Sequence, residues 1–133
     1  MNNAQQKLIR KHLLHSALFS LCDFMTKIGT SIVSVQRILY LMENKESLHQ
    51  TFTSQELTLL RANHLAEILA IKQAVLQTIN SPAHFLDMHV SWNNKKQVIL
   101  NLQPDLAAQI KEYQIASSHD GEYAVAFVTI QEF

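Results

Sequence analysis

The segment LHSALFSLCDFMTKIGTSIVSVQRILYLM, residues 14–42, carries the longest hydrophobic repeat in the chain. Its apolar side chains recur in alternating steps of four and three residues, and no proline interrupts them. Such a repeat keeps one stripe of a helix apolar and is typical of helices that pack against other helices. We call this stripe the heptad seam; its members are Leu14, Leu18, Leu21, Met25, Ile28, Ile32, Val35, Leu39 and Met42.

The heptad seam predicts one helix from Asn3 to about Glu46. Gly29 is the weak point of this helix, since glycine costs about 1 kcal/mol relative to alanine in a helix interior. Because the repeat passes through Gly29 without a change of phase, we expect one helix with a bend there. A break followed by a reversal of the chain is the alternative.

A second helix is predicted from Thr53 to about Asn80. Thr53 suits the N-cap position, Glu56 is its capping-box partner, and Phe52 is placed to pack against Leu57. The apolar positions of this helix form two adjacent stripes. Together they are wide enough to contact two neighbouring elements. A short polar loop between two long amphipathic helices predicts an antiparallel hairpin, and two copies would bury the remaining apolar surface in a four-helix bundle.

Beyond Pro82 the hydrophobic period changes from about 3.6 residues to two residues. The segments Leu86–Trp92 and Val98–Gln103 both alternate, and an Asn-Asn-Lys turn separates them, which predicts a β-hairpin. Pro104 suits the first turn of a short helix that carries Leu106, Ile110 and Tyr113 on one face. Glu122 to Ile130 is rich in β-branched and aromatic residues and predicts a further strand that joins the hairpin.

These patterns predict an α+β fold, mainly α, in a single domain over residues 1–133. The long helical hairpin would occupy residues 1–81, and the small element of β-hairpin, short helix and strand would occupy residues 82–133.

The 11 Lys and Arg residues equal the 11 Asp and Glu residues in number, which argues against a general polyanion binder.

The composition also predicts where the protein works. Cys22 is the one cysteine, so it cannot form an internal disulfide, and it lies within an apolar run typical of a buried thiol. Charges interrupt every apolar run before it reaches the length of about 20 residues that a membrane-spanning helix needs. We therefore expect a cytoplasmic protein that does not enter a membrane.

The titratable side chains form no recognisable reaction centre in the sequence. His12 and His15 are three residues apart, but no further ligand follows at metal-binding spacing. His64 lies beside one apolar stripe of the second helix, where a polar interruption sets helix register, and His119 is interpreted as a surface or edge residue. Glycine-rich phosphate loops and strained nucleophile turns are absent from the sequence. We therefore expect no enzyme, no metal site and no cofactor.

A compact basic turn near the N-terminus is a candidate partner patch. It consists of Lys7, Arg10 and Lys11. The patch is small for a duplex footprint and lacks the interleaved aromatic residues of a single-strand binder, so nucleic acid is disfavoured as a partner. A small nucleic-acid-associated protein that uses this patch is retained as a further alternative.

A helical hairpin that dimerises and continues into a small α/β segment resembles the dimerisation and phosphotransfer module of histidine kinases. The stretch Leu21–Ile28 is similar to the phosphoacceptor box of that family. It has Cys22 at the histidine position and Lys27 where proline is common. The resemblance implies a degenerate, non-catalytic relative that binds a receiver-like partner. In a second form of this alternative, His12 or His15 carries the phosphoryl group and transfers it.

The leading functional prediction is a non-enzymatic adaptor, scaffold or regulatory subunit. It would form a homodimer through the heptad seam and bind a protein partner that the sequence does not identify. The reason is physical, because two long amphipathic helices and a short sheet expose more apolar area than a monomer tolerates.

Overall fold

The computed structural model describes residues 3–7, 26–58 and 61–133. Residues 3–7 are helical. From residue 26 the elements are, in chain order, β1 (Thr26–Ser34), α1 (Val35–Met42), α2 (Lys45–Thr51), α3 (Ser54–Leu57), α4 (Ala62–Thr78), a 3-10 turn (Phe85–Asp87), β2 (Met88–Trp92), β3 (Val98–Leu102), α5 (Pro104–Ala107), β4 (Ile110–His119) and β5 (Tyr123–Glu132).

The main sheet has three antiparallel strands in the order β1-β5-β4. Ser31 of β1 and Ser117 of β4 both pair with Ala126 of the central strand β5, so these three residues form one row across the sheet. Strands β2 and β3 form a separate antiparallel hairpin, in which Val90 pairs with Leu100.

Helix α4 packs across one face of the main sheet and supplies more buried core residues than any other described element. Its small residues Ala66, Ala70 and Ala74 are completely buried, which lets the helix backbone approach the strands closely. At Gly29 of β1 a Cβ atom would lie 1.9 Å from the carbonyl oxygen of Ala74. Gly29 is therefore a packing residue between strand and helix.

The prediction of a long N-terminal helix is wrong over Thr26–Ser34, which is strand β1. The four-residue step from Ile28 to Ile32 fits one face of a helix, but it is also even and therefore fits one face of a strand. Thr26, Ile28, Thr30, Ile32 and Val33 are β-branched, which favours the strand once β5 supplies hydrogen-bond partners. The described residues therefore contain no long helical hairpin, and the expected coiled coil and four-helix bundle are wrong.

The heptad seam does not form one stripe in the described residues. Leu14, Leu18, Leu21 and Met25 lie outside them. Ile28 and Ile32 are 61% and 64% exposed on the face of the sheet opposite α4. Val35 is buried in α1, Leu39 is exposed on that helix and Met42 is half-buried.

Several shorter predictions are confirmed. Thr53 and Glu56 form the predicted capping box, although the predicted second helix is divided into α3 and α4. The β2–β3 hairpin and the short helix at Pro104 are also present.

Two predictions beyond that short helix are wrong. The helix ends before Ile110, where β4 begins. The C-terminal strand pairs with β1 and β4, whereas the prediction paired it with the hairpin. Among the described residues, no helix combines the length and the apolar character needed to cross a bilayer.

Candidate functional site

A cleft of about 1100 Å³ lies between the N-terminal half of α4, the β2–β3 hairpin and strand β4. Concave sites with apolar walls and a few convergent polar groups are the usual places for small ligands. We refer to this feature as the cleft. Its lining residues are His64, Glu67, Trp92, Lys96, Gln97, Val98, Tyr113, Gln114, Ile115, Ala116, Ser117 and His119.

A buried carboxylate in the wall of the cleft holds two side chains of β4. Oε2 of Glu67 lies 2.6 Å from Nδ1 of His119, and the hydroxyl of Ser117 donates to Oε1 of Glu67 over 2.5 Å. The Glu67 side chain is 9% exposed, whereas the His119 side chain is 30% exposed. The carboxylate is therefore enclosed, and the imidazole reaches both the carboxylate and the cleft.

Two aromatic rings extend this arrangement toward the hairpin. The His64 ring lies edge to face against His119, with a centroid distance of 5.3 Å, and against Trp92, with a distance of 6.4 Å. Lys96 stands in the hairpin turn with a positive φ of 62°. The cleft thus combines an indole, two imidazoles and an ammonium group along one side.

Local periodicity explains why these side chains meet. His64 and Glu67 are three residues apart near the start of α4, so they share one face of that helix. Ser117 and His119 are two residues apart in β4, so both point toward α4. The hydroxyl of Tyr113 accepts the backbone N–H of Leu100 at 3.1 Å and ties the hairpin to β4.

The bond to Glu67 determines what His119 can do. An ionised carboxylate only accepts hydrogen bonds, so the proton on the neutral imidazole belongs at Nδ1. Nε2 then keeps its lone pair, as a general base requires. Ser117 and His119 do not form a serine–histidine nucleophile pair, because the hydroxyl donates to Glu67 and not to the imidazole.

A second polar contact joins α4 to β1 and consists of neutral groups. The hydroxyl of Ser31 donates to Oε1 of Gln73 over 2.7 Å. The side chain of Gln77 binds both the N–H of Thr30, at 3.1 Å, and its carbonyl oxygen, at 2.6 Å.

In residues 26–58 and 61–133, no three His, Cys, Asp or Glu side chains lie close enough to hold a metal ion.

The sequence prediction missed this site. His119 was expected at a surface or edge and His64 in a register role, but both line the cleft beside Glu67. The available signal was the run Leu65–Ile71, in which Glu67 is the one polar residue in an otherwise apolar segment. Of the predicted basic patch, Arg10 and Lys11 lie outside the described residues, and Lys7 is exposed.

Comparison with solved structures identifies the class of fold as that of holo-[acyl-carrier-protein] synthases. The synthase from Helicobacter pylori, solved with coenzyme A, is 24% identical and has a TM-score of 0.69 over 79% of this chain and 100% of that chain. The Neisseria meningitidis synthase is 21% identical, with a TM-score of 0.69 over 79% of this chain and 97% of that one. The Bacillus anthracis synthase, in complex with CoA (3′,5′-ADP), is 21% identical, with a TM-score of 0.66 over 80% and 96%.

At this level of identity the likeness establishes the fold. No protein-family model matches the chain, and no curated protein sequence matches it either. The predicted α+β fold built on a long helical hairpin is therefore corrected to a small α/β fold with a central antiparallel sheet.

The functional prediction is corrected as well. The non-enzymatic adaptor is contradicted, because the proteins that share this fold are named as synthases. The histidine-kinase-like alternative required a dimeric helical hairpin, and β1 occupies part of the segment that would form it. The nucleic-acid alternative depended on the basic turn of Lys7, Arg10 and Lys11, of which only Lys7 is described, and the matched structures lend it no support.

Proposed function

We propose that this chain binds coenzyme A in the cleft and transfers its phosphopantetheine arm to a serine hydroxyl of a carrier protein. The observation that carries the proposal is the shared fold, which spans 79% of this chain and the whole of a holo-[acyl-carrier-protein] synthase solved with coenzyme A. Attachment of that arm is what converts an apo carrier protein into its holo form.

The reaction has one bond-forming and one bond-breaking event. The serine oxygen of the carrier forms a bond to the phosphorus that bears pantetheine. The bond from that phosphorus to the bridging oxygen breaks, and 3′,5′-ADP leaves with the electron pair. The serine proton moves to Nε2 of His119, whose Nδ1 is occupied by Glu67.

The lining of the cleft suits the parts of coenzyme A. Trp92 and His64 offer flat rings on which an adenine can stack. Lys96 supplies a cation for a phosphate, and Val98 and Ile115 supply apolar wall for the pantetheine chain. These groups combine one charged contact with aromatic and aliphatic surface, as nucleotide sites commonly do.

The donor set does not fit a metal held by the protein alone. In phosphoryl transfer, divalent cations commonly bridge the phosphate oxygens, and Mg²⁺ usually takes one or two protein carboxylates as well. Glu67 is the one carboxylate among the described residues that line the cleft, and both of its oxygens bind Ser117 and His119. The proposed step therefore assigns no metal to the protein's own side chains, and Mg²⁺ would be held by the phosphate groups of coenzyme A.

Binding can be tested through Trp92, which is the single tryptophan of the chain and lines the cleft. We expect coenzyme A to change its fluorescence in a saturable manner, and MgCl2 alone to leave it unchanged. The Lys96→Asn variant should bind coenzyme A more weakly, because asparagine tolerates the positive φ but lacks the charge. Lys95→Asn is the matched control in the same turn, since Lys95 does not line the cleft.

Transfer is tested by incubating the full chain with coenzyme A, MgCl2 and an apo acyl carrier protein. Intact-mass spectrometry should show the carrier gaining one phosphopantetheine group, with equimolar release of 3′,5′-ADP. Binding of coenzyme A without transfer would overturn the enzymatic proposal. Absence of any fluorescence change would overturn the cleft as the coenzyme A site.

The partners include a second copy of the chain in our proposal. The face of the main sheet opposite α4, which we call the outer face, is left uncovered by the described residues. Its exposed apolar members are Ile28, Ile32, Tyr123, Val125 and Phe127. A contiguous apolar patch of this kind is typical of an interaction surface, and it replaces the helical seam as the site of self-association.

A further inference from the structure

We infer that Glu67 is a positioning residue, which acts through His119 in the transfer reaction; the inference rests on the function proposed above. Glu67 is buried on α4, and its two oxygens are bonded to side chains 50 and 52 residues further along the chain. It therefore links the helix to the strand that carries the proposed base.

The fold alone gives no reason for a carboxylate at this position. The neighbouring residues of α4 that face the sheet are apolar and buried, including Ala66 and Ala70. Burying an ionised carboxylate is costly unless hydrogen bonds compensate for the lost water. Ser117 and His119 provide that compensation, and their donors meet the two oxygens separately. A carboxylate that holds an imidazole by hydrogen bonding at the edge of a cleft is the arrangement that orients the histidine base in catalytic triads.

The geometry assigns Glu67 two tasks. Its acceptor oxygen keeps the His119 proton at Nδ1, which leaves the Nε2 lone pair for the serine hydroxyl of the carrier. Its bond with Ser117 holds the carboxylate in place, so the imidazole ring cannot turn away without losing its partner. His64 packs edge to face against the His119 ring at a centroid distance of 5.3 Å and limits its motion further.

The variant Glu67→Gln tests the first task, because it keeps the shape and removes the charge. Ser117 can still donate to the amide oxygen, so the amide NH2 is left to face Nδ1 of His119. The imidazole proton then moves to Nε2, and the base loses its lone pair. We expect kcat to fall about 100-fold or more, because a general base usually contributes about 10²- to 10⁴-fold, while KM for coenzyme A changes less than about twofold.

A spectroscopic measurement distinguishes a Glu67 that orients the His119 ring from a Glu67 that only stabilises the fold. Nitrogen-15 NMR of the His119 ring should report the Nδ1–H tautomer in the parent and the Nε2–H tautomer in Glu67→Gln. Glu67→Asp restores a charged acceptor and should recover the parent tautomer and part of the lost kcat. Gln77→Met is the control for a lost helix-to-strand bond, because Gln77 clamps α4 to β1 outside the cleft.

Three results would decide against the inference. One is a Glu67→Gln variant with parental kcat, another is the same tautomer in both proteins, and the third is an equal loss of kcat in Gln77→Met. If the parent transfers no phosphopantetheine at all, the proposed function fails. The tautomer measurement then still decides whether Glu67 orients His119, so the two failures are distinguishable.

Discussion

Nζ of Lys72 lies 2.7 Å from Oε1 of Glu56, and neither side chain has any exposed surface. Lys72 also donates to the carbonyl oxygen of Thr51 at 3.0 Å, and Oε2 of Glu56 accepts the N–H of Val90 at 2.8 Å. Burial lowers the pKa of Lys72 from its ordinary value of 10.5, while the hydrogen bond and charge of Glu56 act in the opposite direction. The pair joins α4 to α2, α3 and β2 in one buried network.

Removing one partner of this pair should be severely destabilising. We expect Lys72→Met to lower the free energy of unfolding by about 3–5 kcal/mol, because Glu56 would remain buried without its cation. Urea unfolding at pH 7 measures the effect. The control is Lys27→Met, which breaks the partly exposed pair with Glu132 and should cost less than about 1 kcal/mol. Equal losses in the two variants would contradict the prediction.

Gly29→Ala should also destabilise the protein, through overpacking. The added Cβ would fall 1.9 Å from the carbonyl oxygen of Ala74, so β1 and α4 would have to move apart. We expect a loss of about 1–3 kcal/mol or more, seen as a lower melting temperature. Gly121→Ala is the matched control, since a Cβ there meets no atom within 4 Å. A Gly29→Ala protein as stable as its control would show that the helix and strand are less closely packed.

Asp120 should make the stability depend on pH in the acid range. Its Oδ1 accepts the N–H groups of Tyr123 and Glu122, each at 2.7 Å, and these bonds lower the pKa of the carboxyl below 3.8. In the window between the lowered pKa and 3.8, the unfolded chain binds more protons than the folded one, so stability rises with pH. The stabilisation is present above 3.8 and is lost as pH falls through the folded pKa.

The variant Asp120→Asn isolates this effect, because it keeps an acceptor oxygen and removes the titrating charge. The difference in melting temperature between the parent and the variant should be largest above pH 3.8 and should shrink toward zero below the lowered pKa. Parallel melting curves at every pH from 2 to 7 would contradict the assignment.

Charge on the outer face should weaken self-association. Phe127 is 47% exposed on the central strand β5, and Phe127→Lys would place an ammonium in the middle of the apolar patch. We expect a lower molar mass by light scattering at the same concentration, because the charge would have to be desolvated in the interface. Leu86→Lys alters a residue of similar exposure, 43%, in the 3-10 turn and should leave the mass unchanged. Identical masses for Phe127→Lys and the parent would show that the outer face is not the contact.

Local chemistry made several elements predictable. The capping box of Thr53 and Glu56, the β2–β3 hairpin and the helix that begins at Pro104 each depend on residues only a few positions apart. The candidate site was not predictable in this way. Glu67 meets Ser117 and His119 only after α4 has packed on β4, across 50 and 52 residues of sequence. No spacing rule connects residues that far apart.

Local interactions were enough to specify the turns, caps and short-period segments, because their energies come from neighbouring residues. Tertiary contacts were needed to make Thr26–Ser34 a strand, because its apolar spacing fits both a helix and a strand. That strand exists because Tyr123–Gln131 pairs with it from the far end of the chain, as in Ser31 with Ala126. The strand's inward face then packs on α4, and Gly29 permits the close contact. Long-range hydrogen bonding and packing outweighed the helical periodicity because they pair the backbone of the segment with β5 and bury Gly29 and Val33 against the core.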